Sequence, residues 1–455
     1  MPSAASPPIN GDLPRQFASR DALNTLLAQE FPGAEGELSP IRGGREAAED
    51  KLRRIDARRY AKSRNHLKGA VTGLSPYIRH GVLTLAEVRD SVFARIRNRD
   101  EGGKLINELG WRDFWQRMWL DLGDGIHDDQ EPFKTGHDAL AYARELPADV
   151  RAGSTGLACM DGFRDQLVTT GWLHNHARMW MAAWLVHWRR VHWKAGADWF
   201  LEHLLDGDPA SNHLSWQWVA STFSHKPYFF NRGNLERYSD GHYCDGCPSA
   251  NSCPFEGSYD QLENQLFSPM PAIRENGNNR NQQRNRQRRS SGGASAALAR
   301  PKRSAGDSSM TFQRPILWIH EEALGANNPA LQAWPEAPAV FVFDTRWIQE
   351  ARISRKRLGF LYENALDLPL TLRKGDVADE VLAFARRHQA DGVVSSSAVD
   401  PRLERIGEAI DAELPLELLD PEPFVELPRP PRLGRFSRYW RDAEAVVWEG
   451  YSPAR

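Results

Sequence analysis

The stretch from Met270 to Ser309 has almost nothing to bury, and it divides the chain into two folding problems. Its sequence, RENGNNRNQQRNRQRRSSGGASAALARPKRSAGDSS from Arg274 onward, is built largely from Asn, Gln, Arg, Ser and Gly. Such a segment cannot offset the entropy of ordering its own backbone, so it reads as a disordered linker over 269–312. A chain of 455 residues is in any case longer than one ordinary core serves. Between Pro271 and Ala305 nine Lys/Arg accompany a single acid, Glu275, so the remainder is more acidic than the net charge of −2 suggests. The tether is either simply solvated or a salt-sensitive holder of phosphates.

The two sides of the tether differ in hydrophobic period. Before it, EAAEDKLRRIDARRYAKSR, TLAEVRDSVFARIRN, KLINELGWRDFWQRMWLDL, MDGFRDQLVTTG and HNHARMWMAAWLVHWRRVHW carry apolar residues at three-to-four spacing, punctuated at Gly81, Pro147 and Gly171. This predicts an all-helical domain over 45–268, preceded by an extension, 1–44. After it, PILWI, AVFVF, LTLRK, GVVSS and PLELL are short strand-like runs. They alternate with helical patterns near Asn327–Leu331, Arg352–Asn364, Val377–His388 and Leu403–Asp411, which predicts a Rossmann-like, doubly wound parallel α/β domain over 313–427 and a C-terminal segment, 428–455. No GxGxxG follows the first strand, so a standard dinucleotide fingerprint is missing. No apolar run approaches the roughly 20 residues of a membrane span, and no leader pattern opens the chain. A cytoplasmic monomer without membrane contact is the expectation.

Chemistry-bearing residues concentrate before the tether. Eleven of the sixteen tryptophans lie between Trp111 and Trp218, which by itself describes a large helical core. Arg178 precedes Met179 in GWLHNHARM, while Asp206 and Asp208 share one turn in LLDGDPASNHLSWQW, with Asn212 just beyond. Alone, Arg and Asp in a helical core read as a structural ion pair.

Taken together, these segments resemble the photolyase/cryptochrome family. GWLHNHARM is similar to its GWxHNRxRM, LLDGDPASNHLSWQW to IDGDxxxNNGGWQW, NELGWRDFW to ELxWREFY, and VTGLSPYIRHG to TSxLSPYLxxG. The four motifs keep the family's order across about 150 residues. The resemblance implies an all-helical FAD-binding domain. Tyr60, Thr72, Gly73, Leu74 and Ser75 would hold the FAD phosphates, with Val71 standing where the family has a first Thr. Arg178 and Asp206 would pair beside the isoalloxazine, Asp208 would support the ribityl–adenine side, Asn212 would face the flavin N5, and Arg112 would help close the pocket.

Five further positions match the substrate pocket of cyclobutane-dimer photolyases: Glu108, Trp111, Asn175, Met179 and Trp218. The resemblance therefore implies UV-damaged DNA as partner and light-driven carbon–carbon bond cleavage in a flipped-out pyrimidine dimer, with indole faces stacking on bases and polar groups reading their edges. A cryptochrome-like blue-light photoreceptor and a 6-4 photolyase are the alternatives. The 6-4 class carries His-His where this chain has His174-Asn175. Trp216 and Trp193 match the inner and middle members of the family's electron-transfer line, and Leu140 stands at the outer position. Trp180, Trp184 and Trp188 recur every four residues, as an aromatic packing stripe or as a second route.

All four cysteines fall in one pattern, Cys159 followed by Cys244-x2-Cys247-x5-Cys253-Pro. It resembles the bacterial iron–sulfur photolyases, whose four thiolates hold a 4Fe–4S cluster. Zinc or no metal stays open, since ligand count alone does not choose. Beyond the tether, ILWIHEEALGANNPAL and RLGFLYENALDL are similar to the family's antenna domain, although His320-Glu321-Glu322 replaces its Arg-Arg-Asp cluster. An antenna chromophore (folate, deazaflavin, lumazine or none) is not identified by these residues. In the family the antenna domain comes first, so the chain reads as a circular permutation.

Overall fold

Polar caps set the first helices. In the computed structural model, which describes residues 11–268 and 312–452, Ser19, Asp56, Thr84 and Asn98 each accept the amide of the third helical residue. They open α1 (Arg20–Glu30), α3 (Ala57–Ser63), α5 (Leu85–Phe93) and α6 (Arg99–Leu122); α2 (Arg45–Arg53) and α4 (Ser75–Arg79) lie between. The helices α7 (Ala148–Ala152), α8 (Ala158–Thr170), α9 (Asn175–Ala183), α10 (Trp193–His203), α11 (Pro209–Ala220), α12 (Arg232–Ser239) and α13 (Tyr259–Leu266) complete the region before the basic tract. The tract itself lies outside the described residues, apart from Phe312.

Two apolar cores organise these helices. One gathers α8 to α12 around Phe163, Trp180, Trp184, Trp193 and Phe200; the other gathers α4, α5, α6 and α11 around Tyr77, Phe114 and Trp119. A pi-helical turn, Trp184–Trp188, follows α9 directly. The regular four-residue tryptophan spacing therefore does not run along a continuous α-helix. Trp180 and Trp188 spend their indole N–H groups on Asn234 Oδ1 (3.1 Å) and the Pro254 carbonyl (2.9 Å), as packing residues do.

All five strand-like runs are strands of one parallel sheet: β1 (Pro315–Ile319), β2 (Ala339–Asp344), β3 (Leu370–Gly375), β4 (Gly392–Ser396) and β5 (Leu416–Leu419), in the order β3-β2-β1-β4-β5. Leu317 pairs with Ala339 and also with Val394, so β1 is central. Both faces are apolar because helices cover both. Leu317, Ile319, Phe341 and Phe343 face one core; Ile316, Trp318, Val340 and Val342 face the other. The covering helices are α14 (Pro329–Ala333), α15 (Thr345–Glu350), α16 (Arg355–Leu366), α17 (Val377–Arg387) and α18 (Pro401–Asp411). Helix α15 has no counterpart among the periodic patterns, being too short to show a period.

Segments from the two ends of the chain stitch the halves together. Leu13 donates its amide to Leu372 O (2.6 Å), and α1 buries Leu23 and Leu27 in the sheet-side core. A final helix, α19 (Phe436–Glu449), buries Tyr439, Trp440 and Trp448 in the helical core beside α6. Gly110 lets it approach, since a Cβ there would lie 2.1 Å from the Trp440 ring. Among the described residues no helix is long and apolar enough to cross a membrane.

Candidate active site

Helix α11 starts where it does because Asp208 caps it, accepting the Ala210 amide at 3.1 Å. The buried carboxylate also accepts from Ser211 Oγ (2.7 Å) and Gln116 Nε2 (2.8 Å), and Arg112 lies 3.5 Å away. Burial alone would raise its pKa, but Arg112, Arg79 and these hydrogen bonds hold it below the ordinary carboxylate range. Two residues upstream, both oxygens of Asp206 accept Arg178 Nη2, at 2.9 and 3.0 Å, while Arg178 Nε donates to Leu173 O. One turn into α11, Asn212 donates an Nδ2–H to Ala197 O at 2.9 Å, which leaves its Oδ1 as an acceptor.

The turn before α4 is a second polar cradle. Gly73 adopts φ 63°, Thr72 Oγ1 accepts the Leu74 amide at 3.4 Å, and Ser75 begins the helix. A Cβ at Gly73 would lie 3.3 Å from Lys51 Nζ, so a partly desolvated ammonium stands over the turn. Nearby on α3, burial and the Glu108 charge push the Tyr60 phenol up to about 12. A close-packed pair of acids with arginines on one side, and a glycine turn with hydroxyl, amide and ammonium groups on the other, suit a cofactor that carries phosphates and a polar heterocycle.

The five positions that the resemblance assigns to a substrate pocket lie on three helices, with α11 packed against both α6 and α9. Asn175 and Met179, one turn apart on α9, touch through Nδ2 and Sδ at 3.4 Å. Trp218 on α11 is 36% exposed and packs beside Tyr228. On α6, Glu108 pairs with Lys104 (2.9 Å) and Arg64 (3.1 Å). Trp111 stacks one face on Phe436 of α19 at 3.8 Å, so one side of this indole is already covered by the chain itself. Among the described residues, no hydrogen bond, ion pair or ring contact joins the α6 pair to Asn175, Met179 or Trp218.

Trp216 lies over Gly196, where a Cβ would meet its ring at 2.3 Å. Trp193, one turn earlier on α10, donates its indole N–H to Asp129 Oδ1 at 2.5 Å. Leu140 is 90% exposed on a short 3-10 turn.

Cys159 is buried at the start of α8, and Cys244, Cys247 and Cys253 come from the loop after α12. All four line one small cavity with Leu157, Leu235, Tyr243 and Phe255, with Arg232 at its edge. Burial and the facing thiols push Cys159 up far beyond the usual thiol range. Among the described residues, no three or more His, Cys, Asp or Glu side chains are gathered as for one metal ion.

One comparison bears directly on this helical region. Residues 105–243 match the FAD binding domain of DNA photolyase. Curated relatives are named deoxyribodipyrimidine photo-lyase: that of Streptomyces griseus is 35% identical over 168 residues (36% of this chain, 35% of the relative). That of Halobacterium salinarum is 31% identical over 240 residues (50% and 49%). The chain thus spans between about a third and a half of the length of these relatives. Among solved structures, a class III photolyase from Agrobacterium tumefaciens is 24% identical with a TM-score of 0.38, covering 56% of each chain. A Synechocystis cryptochrome is 22% identical with a TM-score of 0.40, covering 55% of this chain and 58% of its own.

The photolyase-type FAD-binding match includes Glu108, Trp111, Arg112, Arg178, Asp206, Asp208 and Asn212. It does not reach Tyr60, the Thr72–Ser75 turn, Cys244, Cys247 or Cys253. Sequence reasoning missed Gln116 and Ser211 on Asp208, Lys51 over the glycine turn, Arg64 on Glu108 and Asp129 on Trp193. Gln116 was within reach of a helical reading, since it lies four residues after Arg112 on α6. Lys51 and Asp129 approach only through tertiary folding and leave no local signal.

Proposed function

We propose that the protein is a light-driven photolyase that repairs cyclobutane pyrimidine dimers in DNA. The observation that carries the reading is the buried acid turn, Asp206 on Arg178 and Asp208 on Arg112, within the residues matched to a photolyase FAD domain. FAD held here in its reduced form would supply the light-driven one-electron chemistry that opens the dimer ring with no net change of redox state. Asp206 and Asp208, each paired with its arginine, would orient the cofactor, and the glycine turn with Thr72, Ser75 and Lys51 would take its phosphates. Asn212 Oδ1, left free as an acceptor, would take a hydrogen bond from a ring N–H of the flavin. Trp218 and Trp111 would stack on the splayed bases, while Glu108 and Asn175 would read polar edges, with Met179 beside Asn175. Lys104 and Arg64 pair with Glu108 and fix where its carboxyl group points.

The test uses protein loaded with reduced FAD, a duplex carrying one thymine dimer, and blue light. Restored thymines are the expected result, and no restoration overturns the reading. A parallel duplex with a 6-4 product decides the class: its selective repair would replace the dimer assignment. Asn175→His should abolish dimer repair.

The four cysteines suit a 4Fe–4S cluster better than one zinc. All four line one cavity, yet among the described residues no three are gathered as for a single ion, and a tetrahedral zinc with Zn–S bonds of about 2.3 Å would need them gathered tightly. The order of the elements, with the Rossmann-like sheet after the helical domain, supports a circular permutation.

A further inference from the structure

Arg79, the last residue of α4, and His80 just after it are both spent on the loop bearing Asp206 and Asp208. His80 is fully buried, with Nε2 2.9 Å from Leu205 O and Nδ1 2.8 Å from Glu321 O. Arg79 donates Nε to Gly207 O at 3.1 Å. The same carbonyl takes a second bond, from Arg357 Nη2 at 2.8 Å, and Arg357 Nη1 donates to Leu201 O at 2.9 Å. Arg357 belongs to α16 of the sheet domain and is 2% exposed. The approach requires glycine, since a Cβ at Gly207 would lie 2.5 Å from the Arg357 guanidinium.

The other anchor of this clamp is the sheet itself. Arg79 Nη1 pairs with Glu322 at 2.7 Å, and Glu322 Oε2 accepts the Val399 amide at 2.9 Å. Glu322 follows β1 and Val399 follows β4, the neighbours between which the strand order reverses. In open doubly wound sheets the crevice at that point is where ligands bind. Here a guanidinium from the helical domain enters it.

We infer that Arg357 and Glu322 are positioning residues of the flavin site: through them the α/β domain fixes the peptide between Asp206 and Asp208. This rests on the reading of those two acids as FAD contacts. Two guanidinium groups on one carbonyl lock the turn that aims both carboxylates, and breaking a charged, buried hydrogen bond is costly. The Arg357 charge also lies in the field of Asp206 and Asp208, so its loss alters the local potential as well as the geometry.

The test compares full-length Arg357→Met, Arg357→Lys and Glu322→Gln with Lys356→Met. Lys356 is equally buried on the same helix but faces His203. FAD affinity of the apoprotein is read by flavin fluorescence, and the midpoint potential of bound flavin by redox titration. Arg357→Met should weaken FAD binding by about ten-fold or more, the scale of a lost charged hydrogen bond. It should also move the flavin potential to more negative values, because a nearby cation that favours the reduced form is gone. Glu322→Gln should weaken binding while leaving the potential nearer its original value, and Arg357→Lys should keep the potential. Lys356→Met should change neither. FAD affinity unchanged in both Arg357→Met and Glu322→Gln, or an equal loss in Lys356→Met, overturns the inference. If unsubstituted apoprotein takes up no FAD, the flavin reading itself fails, and this inference with it.

Discussion

Asp208 shows how much of a site one residue can carry and how little of that is local. Its place in the motif was legible, as was the Arg178–Asp206 pairing two residues away. Its partners Gln116 and Arg112 come from a helix about ninety residues earlier, and only packing reveals that they converge. Because the carboxylate is buried among cations, Asp208→Asn removes a charge that Arg112 and Arg79 require. Stranding buried partners in this way costs about 3 kcal/mol or more, and urea denaturation should show that loss; an unchanged midpoint would mean the acid is not the partner of these arginines. A second prediction concerns Leu140, whose side chain stands in solvent where the resemblance places an outer tryptophan. The His192 amide donates to Ala143 O at 2.8 Å, which brings the 139–143 segment alongside Trp193. Leu140→Trp should therefore speed blue-light reduction of bound FAD by a thiol, and Trp193→Phe should slow it. Equal rates in all three proteins would remove Trp193 from the route.

At the scale of elements, apolar period placed the strands well and the helices less evenly. GVVSS coincides with β4 because a fully buried strand is a short apolar run with sharp polar ends. Helix α6 begins at Arg99, earlier than its apolar pattern starts, because Asn98 caps a first turn made of charged residues. The pi-helical turn after α9 was invisible: side chains keep an apolar pattern through it, and the distortion appears only in the backbone that leads into Arg190, with φ 51°. The cysteine cavity joins α8 to the loop after α12, so a metal bound there would also act as a staple. Purified anaerobically, the protein should contain iron and acid-labile sulfide in equal amounts, and Cys159→Ser should remove both and lower the melting temperature, since metal-binding energy becomes folding energy. Stoichiometric zinc without sulfide would replace the cluster assignment.

Across the whole molecule, the contacts that unite the halves were the least legible, because they pair residues hundreds of positions apart. Arg357 on Gly207, α19 on α6 and the 11–15 segment on β3 leave no periodic trace. Burial on this scale also sets how the protein responds to acid. Burial, with nearby His213 for His127 and Lys356 for His203, lowers His127, His174 and His176 to about 4 and His187 and His203 to about 3. In the unfolded chain these imidazoles titrate near 6.5. Between about pH 6.5 and 4 the unfolded state therefore binds more protons, so stability rises with pH through that window and is lost as pH falls. Asp400 opposes the trend: burial and Glu322 raise it to about 6, so its contribution is fully present below its unfolded value and lost as pH climbs towards 6. Asp344 is raised by burial as well, but two carboxyls set against five imidazoles leave the histidines dominant, each contributing up to about 1.4 kcal/mol per pH unit. Urea midpoints should fall steadily from pH 7 to pH 5. His187→Gln should flatten the slope by one proton, because its buried ring, with Nε2 3.1 Å from Val219 O, can no longer be protonated on unfolding. A midpoint independent of pH over that range would show that these rings are not held neutral by the fold.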